Sequence, residues 1–254
     1  MLKIFSNFVL SSGLFLLSFF IAWQISAGSN FLYSTWYEML DLDQAIKKYA
    51  PNNKYKNGFE NTDKHQHIEL FAGIVGAIQH DGDGLKHLRY TDSKTSKTEI
   101  LLTNAEVIHL QDVANLVNKF KYAGVFGLIL AVMFFVIMFL KNIPISKFNH
   151  HLYGGGVVVL LVSFIVILLG PTKIFYLAHE VVFPDKHQWF FYYEESLMST
   201  MMKAPALFGP IALQLLILTI LCWFAFLYCI KLIPSTRNSG INKPVIKKKS
   251  LKNT

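Results

Sequence analysis

Cysteine is almost missing from this 254-residue chain: there are two, Cys222 and Cys229, seven apart inside one apolar run. A pair so placed fits neither an exported disulfide framework nor a thiolate metal site, and both are expected as small core residues. Charge is scarce too. Asp, Glu, Lys and Arg make up 16% of the chain, where soluble domains carry about a quarter. No phosphate-binding loop, dinucleotide fingerprint or G-x-S-x-G elbow occurs. These absences disfavour NTPase, dehydrogenase and serine-nucleophile chemistry.

What is present in quantity is apolar surface: 53% of residues are hydrophobic and 15% aromatic, outside the soluble globular range. Four runs, roughly Phe8–Ala27, Tyr122–Leu140, Leu152–Phe175 and Ala206–Leu232, are long enough to cross a hydrocarbon core, which needs about 20 apolar residues in a helix. The first exceeds the usual signal-peptide core of about 7–15 residues and is read as a retained span. The expected fold is therefore an all-α integral membrane protein with four transmembrane helices, an extracytoplasmic, mainly helical cap and an interfacial aromatic loop. In order, these are a first span at 1–27, the cap at 28–120, spans at 121–141, 152–175 and 206–232, a connection at 142–151, the aromatic loop at 176–205 and a basic tail at 233–254.

Orientation follows from lysine and arginine in short flanks. Lys141 and Lys147 attend the short connection, and Lys231, Arg237, Lys243, Lys247, Lys248, Lys249 and Lys252 crowd the C-terminal end. Both regions are assigned to the cytoplasm, which places both termini there and exports 28–120 and 176–205. The net charge of +8 then reports topology and attraction to anionic lipid rather than nucleic-acid binding.

Helical patterns are expected at Ser34–Tyr49, His67–Gln79 and Ala105–Lys119, with turns at "APNNKYKNG" and "HDGDG". Segment 86–102 reads as a small hairpin or a loop. Tyr33, Trp36 and Tyr37 are expected to anchor the end of the first span, and the cluster Trp189, Phe190, Phe191, Tyr192 and Tyr193 suits headgroup depth.

Of nine histidines, seven fall outside the membrane by this topology, and only His109 and His179 lie hard against a predicted span. If the second and third spans pack side by side, both imidazoles reach one layer near the outer interface. There they can serve as general base and general acid, since imidazole takes or gives a proton near neutral pH. Asp112, one helical turn beyond His109, is placed to orient that ring. Structural duties compete. Thr103 and Glu106 fit a T-x-x-E capping box, and His109 edges an apolar arc of Val107, Leu110, Val113, Ala114 and Val117. A metal is a further alternative: "HQH" at 65–67 with Glu69, and H-x-x-D at 109–112, supply zinc- or copper-type ligands without a specific pattern, and the spacing of His65 and His67 favours a loop or strand.

Three stretches, "NFLYSTWYE" after the first span, "EVIHLQDVANL" before the second and "AHEVVFPDKHQWFF" after the third, resemble in kind and order the bacterial lipoprotein intramolecular transacylase family, Lit, or its wider membrane-protein family. The resemblance implies transfer of the sn-2 acyl chain of a diacylglyceryl-cysteine lipoprotein to that cysteine's own α-amine, giving the lyso form. It matches the two family histidines to His109 and His179, with Glu106, Asp112, His187 and Trp189 as supporting or substrate-binding residues. It implies no cofactor or metal, partners that are a diacylated lipoprotein and membrane lipid, and a bacterial cytoplasmic membrane with the site at the outer leaflet. The chain departs from the family in having His187-Gln188 where a Gly-Asn pair commonly precedes the loop tryptophan, and "SLMSTMMKAP" where Leu-Ile and Phe-Pro are usual. These departures bear on the substrate-contacting loop. A non-catalytic accessory protein that docks a membrane partner, and a metal-binding membrane protein, are the rival readings.

Overall fold

The computed structural model describes residues 1–184 and 186–232; the basic tail expected at 233–254 lies outside them. Helix α1 (Leu2–Gly28) opens the chain. It is followed by α2 (Tyr33–Met39), α3 (Leu42–Tyr49), α4 (Lys64–Gln79) and an antiparallel hairpin of β1 (Arg89–Thr91) with β2 (Thr98–Ile100), in which Tyr90 faces Glu99. The long helices α5 (Asn104–Leu140) and α6 (Phe148–Leu169) come next, then α7 (Pro171–Val182), α8 (Leu197–Met202) and α9 (Phe208–Leu232).

Among the described residues, α1, α5 and α9 are each long and apolar enough to cross a membrane, and the end of α6 with α7 forms a further candidate bent by 100°. The chain is a multi-pass membrane protein. The third run is not the unbroken helix expected over 152–175. Gly170 adopts φ 78° and ψ 146°, a region open essentially to glycine, and Pro171 then starts α7, having no N–H to continue the ladder. Helix α7 therefore leaves the line of α6 and carries His179 sideways.

Glycine sets the contact between α1 and α5. A β-carbon at Gly13 would stand 2.7 Å from the Gly127 carbonyl oxygen, and one at Gly127 would stand 2.7 Å from that of Gly13. Backbones approach this closely only where side chains are missing, and close packing drives helix association in lipid, where burial alone cannot. Helix α9 joins α1 through the Trp223 indole N–H, which donates to the Ser11 carbonyl at 3.1 Å, and through the Gln214 amide, which donates to Ser26 Oγ at 3.2 Å.

Residues between α1 and α5 share a core with Leu110 of α5, with α8 and with Ile211 of α9, in which Leu42, Ile46, Phe59 and Ile74 are buried. Each such side chain contributes about 1.5–3 kcal/mol. Tyr33 and Tyr37 belong to this core rather than to the edge of the first span. Tyr33 stacks on Phe71 at 4.1 Å and donates to the Met201 carbonyl at 2.9 Å, while Tyr37 contacts His67. The cause is local: Asn30, Phe31 and Leu32 all have left-handed backbone, which turns α2 away from the axis of α1 and inward. The Cys229 side chain, expected in a core, lies exposed on α9.

Segment 86–102 is the hairpin, and "HDGDG" is a turn in which Gly82 and Gly84 have φ of 88° and 91°. The helical pattern expected at Ala105–Lys119 and the second span expected at 121–141 are one helix. Helix α5 runs 37 residues without interruption, about 56 Å at 1.5 Å per residue, so His109 and the apolar run from Tyr122 share one rigid rod.

Candidate active site

His109 is positioned by the start of α5. Thr103 Oγ1 accepts from the Glu106 backbone N–H, and the Glu106 carboxylate accepts from the Thr103 N–H at 2.5 Å. This reciprocal box satisfies two orphan donors of the first turn. Glu106 is fully buried and also accepts from the Ser196 hydroxyl, which ties α5 to the N-terminus of α8. Its place is structural, holding the turn that carries His109.

The imidazoles of His109 and His179 lie 6.0 Å apart between ring centres, tilted by 32°. Aromatic rings enclose them. Phe183 stands 4.9 Å from His109 and 5.1 Å from His179, Phe175 lies 4.0 Å from His179, Trp189 lies 5.1 Å from His179, and Phe191 lies 5.9 Å from His109. His179 Nδ1 is 2.7 Å from the Phe175 carbonyl, four residues back on α7. A carbonyl only accepts, so this bond fixes the neutral tautomer with the proton on Nδ1 and the lone pair on Nε2. Burial, and after it the neighbouring His179 ring, push His109 down to about 4, with Asp112 opposing. Burial also lowers His179. Both shifts favour the neutral imidazole.

Asp112 does not orient His109. Its Oδ2 receives His187 Nδ1 at 2.6 Å, while His109 Nδ1 is sealed from solvent without a partner among the described residues. The Asp112–His187 bond instead fastens the aromatic loop to α5, two residues before Trp189. The proposed metal ligands are dispersed. His65 and His67 sit in the first turns of α4, where residues two apart point to different sides. His65 is exposed beside Glu69 at 3.5 Å, and His67 is buried with Tyr37 on Nδ1 and Thr62 on Nε2. Among the described residues no group of three His, Cys, Asp or Glu side chains has a ligand arrangement.

The two histidines face a cavity of about 450 Å³ whose wall is largely apolar. Ile74 and Val75 come from α4, Leu110 and Val113 from α5, Ala178 from α7, and Ile211 and Ala212 from α9. His109, His179 and Trp189 line it, whereas Glu106, Asp112 and His187 do not. Sequence reasoning missed Trp23 and Gln79, which also line it. Trp23 was read as part of the first apolar run and Gln79 as the last residue of a helix; only the fold shows that both ends meet at one space. The arrangement sets two imidazoles, groups able to exchange protons near neutral pH, on the wall of a largely apolar space.

A family model described as lipoprotein intramolecular transacylase Lit matches residues 7–205. The chain belongs to the Lit family. It is accordingly a membrane acyltransferase. Among solved structures, the membrane integral lipoprotein intramolecular transacylase Lit from Bacillus cereus is similar at 18% identity, with a TM-score of 0.62 and coverage of 91% of this chain and 96% of that one. A histidine-to-alanine variant of the same enzyme gives 18% identity, a TM-score of 0.63 and coverage of 91% and 94%. This likeness extends the shared fold beyond the stretch matched by the Lit family model. No curated protein matches by sequence.

Proposed function

We propose that the chain moves the sn-2 acyl group of a diacylglyceryl-cysteine lipoprotein to the cysteine's own α-amine, with His109 and His179 handling the proton. The observation that carries this reading is the pair of imidazoles, 6.0 Å apart, on the wall of a largely apolar cavity of about 450 Å³. In the reaction the amine nitrogen bonds to the ester carbonyl carbon, the carbon–oxygen bond to glycerol breaks, and one proton passes from nitrogen to the departing oxygen. Atoms balance with no added donor. Because both reacting groups belong to one anchored molecule, the enzyme's task is to hold them in register and exclude water.

The hydrogen bond that His179 makes supports a division of roles between the two rings. His179, with its proton held on Nδ1 by the Phe175 carbonyl, presents Nε2 as the base. A free α-amine has a pKa near 7.7–8.0, well above that of a buried imidazole, so His179 takes the proton as the carbon–nitrogen bond forms and the nitrogen becomes acidic. That proton then passes by way of His109 to the glycerol oxygen as it leaves, which returns both rings to the neutral form. Trp189 and the rings beside it keep water from the acyl intermediate, and the Asp112–His187 bond holds that loop in place.

The membrane placement is part of the same proposal. Four crossings, with α6 the third, put both termini in the cytoplasm and the histidines near the outer leaflet, where the lipoprotein ester lies. The lysine distribution and the 22-residue length of α6 support this. The test is fragmentation mass spectrometry of N-terminal lipopeptides from a diacylated lipoprotein, because intramolecular transfer leaves total mass unchanged. Wild-type protein should yield N-acyl cysteine, and His109→Ala and His179→Ala should each reduce its rate by at least about a hundredfold. Full activity in a folded His109→Gln variant would sink the acid role and favour a structural histidine.

A further inference from the structure

A diacylglyceryl substrate carries two hydrocarbon chains, and the reaction transfers only one of them. A dry cavity of about 150 Å³ holds one benzene ring. The cavity of about 450 Å³ therefore holds about three such rings, on the order of eighteen carbons. That is the bulk of one long acyl chain and not of two. Hydrocarbon left in water is disfavoured in proportion to its exposed area, so the second chain has to stay in lipid while the first is inside. A cavity that serves such a substrate must open sideways onto the bilayer.

Three helices frame an opening of that kind. Helix α7 crosses from α9 to α5: its Phe175 stacks on Phe208 of α9 at 5.6 Å, and Phe183 at its far end lies 4.9 Å from His109 of α5. Beyond these contacts the cavity wall follows one stripe of each upright helix, Leu110, Val113 and Leu116 on α5 and Phe208, Ile211 and Leu215 on α9. The spacing of three or four residues is that of a single helix face. Among the described residues none from α6 lines this space. On α9 the cavity reaches the outside of the bundle. Ala212 lines it and is exposed, and beside Ala212 stand Leu213 and Leu216, exposed apolar residues of a candidate membrane span. Ala178 on α7 likewise lines the cavity and is exposed. The rim is therefore apolar and continuous with the exposed apolar face of α9.

We propose that this opening, framed by α5, α7 and α9, is a lateral entrance from the hydrocarbon. The sn-2 chain of the lipoprotein enters through it, while the sn-1 chain stays in the bilayer against α9 at Leu213 and Leu216. Ala178 at the rim is followed directly by His179, so the glycerol that joins the two chains rests at the rim with its sn-2 ester beside the histidine pair. This rests on the acyl-transfer reading, which supplies the two-chain substrate.

The experiment uses the full-length wild-type protein in phosphatidylcholine vesicles with two photoreactive lipopeptides, made inert to transfer by ethers in place of both esters. One carries a diazirine midway along the sn-2 chain, the other at the same carbon of the sn-1 chain. After irradiation, mass spectrometry of the protein's peptides locates each label. The sn-2 probe should mark Val113 or Leu116 on α5 and Leu215 on α9, and the sn-1 probe should mark Leu213 or Leu216. An excess of unlabelled ether lipopeptide, about ten times the probe, should cut both patterns about tenfold. The same labels from both probes would overturn the proposal, as would sn-2 labels confined to exposed residues such as Leu213. Labelling that the competitor leaves unchanged would overturn it too, because it reports ordinary bilayer contact. If folded wild-type protein makes no N-acyl cysteine from a diacylated lipoprotein, the acyl-transfer reading fails. The division of labels between the two probes still decides where the chains lie.

Discussion

His67 lies fully buried between two hydroxyls, Tyr37 at 2.9 Å from Nδ1 and Thr62 at 2.6 Å from Nε2. Thr62 donates its own proton to the Phe59 carbonyl at 2.5 Å, so it accepts the His67 Nε2–H, while Tyr37, whose hydroxyl also reaches Asp43 Oδ1 at 3.4 Å, meets Nδ1. Burial pushes the ring down to about 4. His109 has the same value for the same first cause. An unfolded histidine titrates near 6.5. Above that pH neither state binds the proton; below it the unfolded chain does while the folded ring resists, so stability falls as pH drops from about 6.5 towards 4. Each ring accounts for up to about 3 kcal/mol of that loss. Thermal unfolding in detergent at stepped pH should show this fall, and His67→Gln, which cannot titrate, should flatten it. Activity in the same range tests His179 separately: as the base it must be neutral, so the acid limb of kcat should lie below 6.5 in both wild type and His67→Gln. The sequence offered both histidines, but "HQH" gave no sign of which would be sealed. That depended on the tyrosine and threonine brought to it by folding.

Individual helices set where these residues can act. Four hydrophobic runs were legible from length and composition, and the capping box at Thr103 and Glu106 was legible from spacing. The break at Gly170 was not, because Gly-Pro inside an apolar run reads equally well as a kinked span, and its left-handed φ of 78° exists only in three dimensions. That break aims α7, and α7 carries His179. Gly170→Ala forces a side chain into backbone space that costs about 1–3 kcal/mol. The variant should keep its His109 environment but lose most acyl transfer, since a misplacement of about 1 Å can cost a hundredfold. Near-normal turnover in the lipopeptide assay would show that α7 tolerates another path. The α1–α5 contact offers a contrasting case. A β-carbon at Gly13 meets backbone 2.7 Å away, and backbone cannot swing aside as a flexible side chain can. Gly13→Ala should therefore lower stability by about 1–3 kcal/mol, read as a drop in the thermal midpoint, while leaving the histidine pair's pH profile unchanged.

At the scale of the whole molecule, the cavity belongs to no single segment. Its wall takes Trp23 and Phe31 from the chain around the end of α1, Ile74 from α4, Val113 from α5, Ala178 from α7 and Ile211 from α9. No one of these segments carries a pattern that announces a cavity, which is why the sequence yielded the histidines and the loop tryptophan but not the space they serve. On the proposed acyl-transfer reading, such a composite wall makes a specific demand on substrate: an acyl chain that enters must fit between helices that pack around it, so its length would be read against the far wall. Ala212 on α9 lines that space and is exposed, so a larger side chain there enters the cavity without displacing a core residue. Ala212→Phe should depress transfer of a palmitoyl group far more than transfer of an octanoyl group, measured by competition between the two lipopeptides in one reaction. A bulky ring in the path of the chain acts on ground state and transition state alike, so the penalty should appear in KM as well as in kcat. An equal loss for both chain lengths would place the acyl group elsewhere and leave the cavity to the peptide or the glycerol. The thermal midpoint of the variant separates either result from misfolding.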